Sequence, residues 1–300
     1  MKRIIFGVSF SLCLLNVGSA QEKSITNLPD IDKIEFKPTR YFISSYGSGN
    51  SIYRDYATSP LFYRGPLFSF QMAWQSNRLK SSRQWTFLTN FSPTSVQLAD
   101  NQSYKTKAGG VFSSSSIGYS YLRPLSQLTR GKFSFAAGGM WLNTFNFRLN
   151  QALGNNAVGI EFFSNIMASG SVKYDASHDK SGRRYILKYL YYSRKPRNQH
   201  FSLQFNAGLL NWNYRPGYAY KELPELDGSK TNPLTLVLSG FDWKLNGYRF
   251  GSELSFTRFK QNGNAVKWSY CWDVLHAPGR FEPFQMAMHR FQLSLLFNRN

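Results

Sequence analysis

The feature that most constrains this chain is a period of two. Phe68, Phe70, Met72 and Trp74 interleave with Ser69, Gln71, Ala73 and Gln75, and Phe201, Leu203, Phe205, Ala207 and Leu209 interleave with His200, Ser202, Gln204, Asn206 and Gly208. The same alternation runs through 133–141, 248–257, 266–274 and 290–297, and through 158–171, where Phe163 and Met167 intrude on the polar parity. Successive side chains of a strand point to opposite faces, so each run is a strand with one apolar and one polar face. A helix needs apolar residues three and four apart, and these runs lack that spacing. The chain is read as all-β.

Two architectures accept such strands. In a secreted soluble β-sandwich the apolar faces meet in a dry core. In a transmembrane antiparallel β-barrel they face lipid, and the polar faces line the interior. Three features favour the barrel. Many runs reach ten residues, close to the roughly 9–11 that a tilted strand needs to cross a bilayer, against about 5–6 in soluble strands. The apolar faces are rich in aromatic rings, which make up 17% of the 300 residues, and many lie near strand ends. The polar faces use Ser, Asn, Gln, Gly, Arg and Lys, which suits a wet or hydrogen-bonded interior. The same aromatic content excludes a disordered tail, and the low share of charged residues, 17%, excludes a coiled coil.

The pattern predicts strands at 38–47, 67–76, 83–92, 111–122, 132–148, 157–174, 183–194, 199–212, 233–245, 247–259, 264–274 and 287–298. That is about 12, an even number, with 10 to 14 as the range. Asn246-Gly247 and the run Gln261 to Asn264 read as tight hairpin turns. Long connections fall at 48–66, 93–110, 213–232 and 275–286. Twelve strands create a conflict: loop 213–232 lands on the side of the N-terminus, where short turns belong, and Asn246-Gly247 lands on the side of the long loops.

Residues 1–20 read as a signal peptide. Lys2 and Arg3 precede an apolar stretch from Ile4 to Val17, and Gly18-Ser19-Ala20 offer small residues for cleavage before Gln21. Residues 21–37 are then a periplasmic N-terminal lead, and 38–300 the barrel. Cys271 is the single cysteine after residue 20, so no internal disulfide is expected.

A signal followed by aromatic-rich alternating strands and the ending Phe291-Gln292-Leu293-Ser294-Leu295-Leu296-Phe297 resembles a small outer-membrane β-barrel protein of Gram-negative bacteria, the Bacteroidota type included. Many members end on an aromatic residue, whereas here Asn298-Arg299-Asn300 follow Phe297. The resemblance implies a porin-like barrel in the cell outer membrane, surrounded by outer-membrane lipid and lipopolysaccharide. It also implies a C-terminal strand read by the barrel assembly machinery.

Chemistry-bearing motifs are sparse. The histidines at 178, 200, 276 and 289 share no ligand spacing, so no metal and no cofactor are expected. His200-Phe201-Ser202 resembles the His-x-Ser pair of outer-membrane phospholipase A and lipid A deacylases, which implies His200 as base and Ser202 as nucleophile. Parity opposes this role, because Phe201, Leu203 and Phe205 take the lipid side and leave the pair facing the lumen. The 36 Lys+Arg against 16 Asp+Glu give a net charge of +20. No clustered basic helix or RNA-binding aromatic motif directs that charge at nucleic acid. Parity sends Arg148, Lys173, Arg184, Lys188, Arg194, Arg249, Glu253, Lys267, Asp273 and Arg290 to the polar faces, as lumen-facing charges. Lys105, Lys107, Lys195, Arg197 and Lys230 fall in turns and loops. The expected function is non-enzymatic: a structural barrel or a narrow anion-preferring channel. The alternatives are an outer-membrane lipid hydrolase using His200 and Ser202, and a soluble ligand-binding sandwich.

Overall fold

A computed structural model describes residues 39–56, 58–97, 107–151, 158–178, 182–187, 190–194, 196–216, 241–278 and 283–299. The segments read as signal peptide and N-terminal lead lie outside them. The strands are β1 (Thr39–Asp55), β2 (Tyr63–Arg78), β3 (Ser81–Gln97), β4 (Lys107–Pro124), β5 (Phe133–Leu149), β6 (Val158–Asp175), β7 (Gly182–Leu187), β8 (Leu190–Arg194), β9 (Gln199–Pro216), β10 (Phe241–Leu245), β11 (Tyr248–Phe259), β12 (Ala265–Ala277) and β13 (Phe284–Asn298). A 3-10 turn, Ser126–Leu128, joins β4 to β5.

All of these strands except β7 and β8 form one antiparallel sheet, ordered β10-β9-β11-β12-β13-β1-β2-β3-β4-β5-β6, and β6 pairs back to β9. The sheet is closed on itself. Closure removes the sandwich alternative, since among the described residues the only other sheet is the short β7–β8 hairpin. It also leaves no unpaired edge running the length of the wall.

The wall has ten strand lines rather than twelve, for two reasons. First, the expected strand 183–194 is a separate hairpin, β7 with β8, that pairs with nothing in the wall. Second, Asn246-Gly247 is not a hairpin turn. Leu245 pairs with Trp212, and Phe250 pairs with Ala207, so β10 and β11 run in one direction along the same edge of β9 as one interrupted strand. Gly247 takes φ +88°, and a Cβ there would lie 2.2 Å from the carbonyl oxygen of His276. Both conditions demand glycine. The break is held by side-chain amides: Asn213 Nδ2 donates to the Asn246 carbonyl at 2.7 Å, and Asn211 Nδ2 to the Gly247 carbonyl at 3.0 Å. The facing strand is irregular at the same level. A bulge shifts the β6–β9 register at Ile166/Met167, and both Leu209 and Leu210 end on the outward side.

Ten strand lines dissolve the topological conflict. Both termini of the wall, the two-residue link Leu79-Lys80 and the 260–264 turn share one end with the 125–132 and 176–198 connections. The connections 56–62, 98–106, 150–157, 217–240 and 278–283 join strands at the other end. These are called below the terminal end and the loop end.

Outward faces carry large apolar side chains in registered rows. Phe297, Phe42, Trp74, Trp85, Tyr119 and Trp141 are successive cross-strand partners from β13 to β5. Six residues further toward the loop end, Phe291, Phe68, Phe91 and Phe147 occupy a second row. At about 3.4 Å per residue these rows stand roughly 20 Å apart along the strands, close to the height of a bilayer-facing apolar band. Phe291 is 67% exposed, Phe205 58% and Phe68 56%. A soluble monomer does not leave such a continuous apolar surface to water.

Candidate functional site

The lumen is the one enclosed polar space that the closed wall creates, and its two halves differ. At the loop end, many inward positions carry large apolar side chains. Tyr53, Tyr63, Leu67, Phe112, Phe163, Leu275, Phe284, Met286 and Met288 form one buried cluster, none more than 2% exposed. The rings meet across the bore: Tyr53 of β1 stacks on Phe112 of β4 at 4.9 Å, and Phe163 of β6 meets Phe284 of β13 at 5.3 Å. Asn146 of β5 reaches Met286 Sδ of β13 at 3.8 Å. Phe163 and Met167, the two intruders in the alternation, point inward and are buried.

Four charged groups from four strands stand against this plug. Arg148 donates through Nε to Glu161 Oε1 at 2.9 Å and through Nη2 to Asp55 Oδ2 at 2.6 Å, with a second Nη2 contact to Glu161. Arg215 Nη2 donates to the other Asp55 oxygen at 2.9 Å. The side chains of Arg148, Asp55 and Glu161 are 5%, 1% and 1% exposed, so water screens them little. Both guanidinium groups also lie over the Phe284 ring, at 5.9 and 5.5 Å. Two cations balance two carboxylates, and removing one member would leave a buried charge uncompensated.

Below this layer Arg249 spans the lumen. Its fork grips both Asp273 oxygens, at 3.1 and 2.7 Å, while Nη1 donates to Thr144 Oγ1 and Asn165 Oδ1 at 2.7 and 3.0 Å. Arg249 is 1% exposed and satisfied on every side, which gives it a structural part. Around it Ser, Thr and Asn side chains fill the middle of the barrel, as interior side chains do in small barrels.

The terminal-end half is accessible only in part: Ser255, Thr257, Ser269, Gln292 and Ser294 are buried there, and Tyr41, Ile43, Ala73, Ala265 and Leu296 form a second buried apolar cluster on the β1, β2, β12 and β13 side. Lys173 and Asp175 are exposed there, and Gln204, Ser202, Glu253, Lys267 and Arg290 are half-buried. Register places these groups in three consecutive inward rows. The first holds Arg290, Cys271, Glu253, Gln204 and Ser171; the second Gln292, Ser269, Ser255, Ser202 and Lys173; the third Ser294, Lys267, Thr257, His200 and Asp175. Lys267 Nζ donates to Glu253 Oε1 at 2.5 Å. Asp175 accepts the Ser177 N–H at 2.8 Å, at the rim of the barrel.

Of the positions expected to face the lumen, Arg148, Lys173, Arg249, Glu253, Lys267, Asp273 and Arg290 lie on inward parity. Arg184 and Arg194 are corrected: they sit on β7 and β8, off the barrel wall, because that segment folds into its own hairpin. Lys188 lies outside the described residues. Ser202 and His200 both lie on the inward parity of β9 and have separate partners. Ser202 Oγ shares a 2.7 Å hydrogen bond with Ser255 Oγ, and the His200 ring packs 5.5 Å from Phe259. Among the described residues no hydrogen bond joins His200 to Ser202, and no group of acidic, histidine or cysteine side chains is arranged to hold a metal.

Sequence reasoning missed Asp55, Glu161 and Arg215. Asp55 and Arg215 lie beyond the expected strand ends, in segments read as loops. A signal was present at the loop end of β13, where Phe284, Met286 and Met288 share the parity of Arg290, Gln292 and Ser294. Apolar residues on a polar parity mark a place where the interior closes. On the outward side a hollow of about 440 Å³ lies where Ala168, Gly170 and Ala207 leave space between Phe205, Phe250 and Trp272.

No family model matches this chain. No curated protein matches it either. Solved structures do. A mutant of the TodX monoaromatic hydrocarbon channel is 6% identical, with 87% of this chain and 90% of that one covered, at a TM-score of 0.31. The translocator domain of the autotransporter NalP from Neisseria meningitidis is 7% identical, with 89% and 90% covered, at 0.31. The outer membrane protein OprD from Pseudomonas aeruginosa is 6% identical, with 87% and 94% covered, at 0.19. The functional reading therefore stands on the barrel's own geometry.

Proposed function

We propose that this chain is a non-enzymatic outer-membrane barrel that forms a narrow, anion-preferring passage, shut at its loop end in the conformation described. The observation that carries this is the charge balance of the partly accessible terminal-end half of the lumen. Lys173, Lys267 and Arg290 lie on inward parity in three adjacent rows there, with Glu253 the only carboxylate in those rows apart from Asp175 at the rim. Cationic side chains in a bore lower the electrostatic cost of an anion and raise that of a cation. The apolar outward rows support a lipid-embedded wall. Outer-membrane lipid and lipopolysaccharide would surround it, in the Gram-negative and Bacteroidota-type cell that the sequence resemblance implies. The terminal end would face the periplasm, and β13 would be the strand that the assembly machinery reads.

Planar-bilayer recording across a potassium chloride gradient tests the reading. Brief, small openings are expected from the wild type, with a reversal potential displaced toward that of chloride. Removing the Phe284 ring should lengthen the openings and keep their sign. Cation selectivity, or silence from both proteins, defeats the proposal.

A further inference from the structure

We propose that the terminal-end half of the lumen is a binding site for a small multivalent oxyanion of the inorganic phosphate type, held by Lys173, Lys267 and Arg290 with hydroxyl donors between them. The setting is that of the passage above, but the site is argued from donors that the protein itself leaves unused.

Arg290 supplies the clearest of these. Its Nε and Nη1 are buried, with no hydrogen-bond partner among the described residues. A buried guanidinium N–H without an acceptor is costly, and such atoms in a folded protein call for an explanation. Lys173 makes no ion pair with any described carboxylate, and Lys267 is a like-charged neighbour. Lys267 uses one of its three N–H donors on Glu253, which leaves two. Ser202 and Ser255 share a single hydrogen bond between two hydroxyls, so one O–H remains to donate.

These donors are not scattered. They occupy three adjacent inward rows of β6, β9, β11, β12 and β13: Arg290 in the first, Lys173 with the Ser202 and Ser255 hydroxyls in the second, and Lys267 in the third. A planar guanidinium fork, two ammonium groups and a hydroxyl are directional donors. They suit an anion with several oxygens better than a spherical halide, because each oxygen can take a separate charge-assisted bond. The entrance is from the terminal end, where Lys173 is exposed. The opposite end of the lumen is closed by buried rings.

The experiment is equilibrium binding of radiolabelled inorganic phosphate to the full chain refolded in lipid nanodiscs, at constant ionic strength set with chloride. Saturable binding at one site per barrel is expected, with sulfate competing and chloride not. Lys173→Gln should weaken it about tenfold or more, the effect of losing one charge-assisted hydrogen bond. Lys173 is exposed and has no hydrogen bond among the described residues, so this variant should fold like the wild type. Lys80→Gln, in the β2–β3 link at the same end, should bind as the wild type does. Absence of saturable phosphate binding overturns the proposal, as does equal binding by Lys173→Gln. Equal weakening by Lys80→Gln also overturns it, because the effect would then be general surface charge. Saturable binding by a protein that passes no current would retain the site and remove the passage, whereas anion current without saturable binding would do the reverse.

Discussion

The two halves of the lumen use the same residue types to opposite ends. At the loop end Arg148 and Arg215 face Asp55 and Glu161, every charge has a partner, and the rings of Tyr53, Phe112, Phe163 and Phe284 exclude water. At the terminal end Lys267 pairs with Glu253, Lys173 and Arg290 make no ion pair with a described carboxylate, and all four keep part of their surface exposed. A cation becomes a structural tie where burial forces it to find a carboxylate, because an unpaired charge in low dielectric is too costly to keep. It stays available for a ligand where solvent carries part of its charge. Net charge alone, +20 over the chain, does not distinguish the two outcomes.

If that contrast is real, substitutions should cost much at one end and little at the other. The largest effect is expected from Arg148→Met, which strands Asp55 and Glu161. The loss should be about 3–5 kcal/mol in urea unfolding followed by tryptophan fluorescence in lipid vesicles. A loss near that of an exposed pair, below about 1 kcal/mol, would erase the distinction between the halves. Phe284→Ala should follow closely, at about 3–5 kcal/mol when its cavity does not collapse. The smallest effect belongs to the terminal end. Ser202→Ala should cost about 0.5–1.5 kcal/mol for its bond to Ser255, and phospholipid and lipopolysaccharide hydrolysis should not differ from the parent. Any hydrolysis by the parent that this variant abolishes would favour the hydrolase alternative.

Much of the wall was legible because alternation is local. Phe68 to Trp74 and Phe201 to Leu209 announce their outward side within a few residues, and the lumen-directed parity of Arg249, Glu253, Lys267, Asp273 and Arg290 follows from the same count. What failed was punctuation. Asn246-Gly247 has the composition of a hairpin turn, yet it is a kink in one strand line, because β9 offers a continuous edge on both sides of it. Arg184 and Arg194 sit on strands of the expected type that joined each other instead of the wall. Strand ends were also set too early, which hid Asp55, Arg215 and most of the apolar plug.

The sequence by itself settled which side of each strand a residue faces, since that depends only on the geometry of neighbouring peptide units. The number of strand lines and the identity of the residues that meet across the bore were decided by the closure of β6 onto β9. Arg148 finds Asp55 across 93 residues of chain, and Asn146 finds Met286 across 140. Such partners are chosen by the circumference and register of the closed sheet, which no short stretch of the chain encodes.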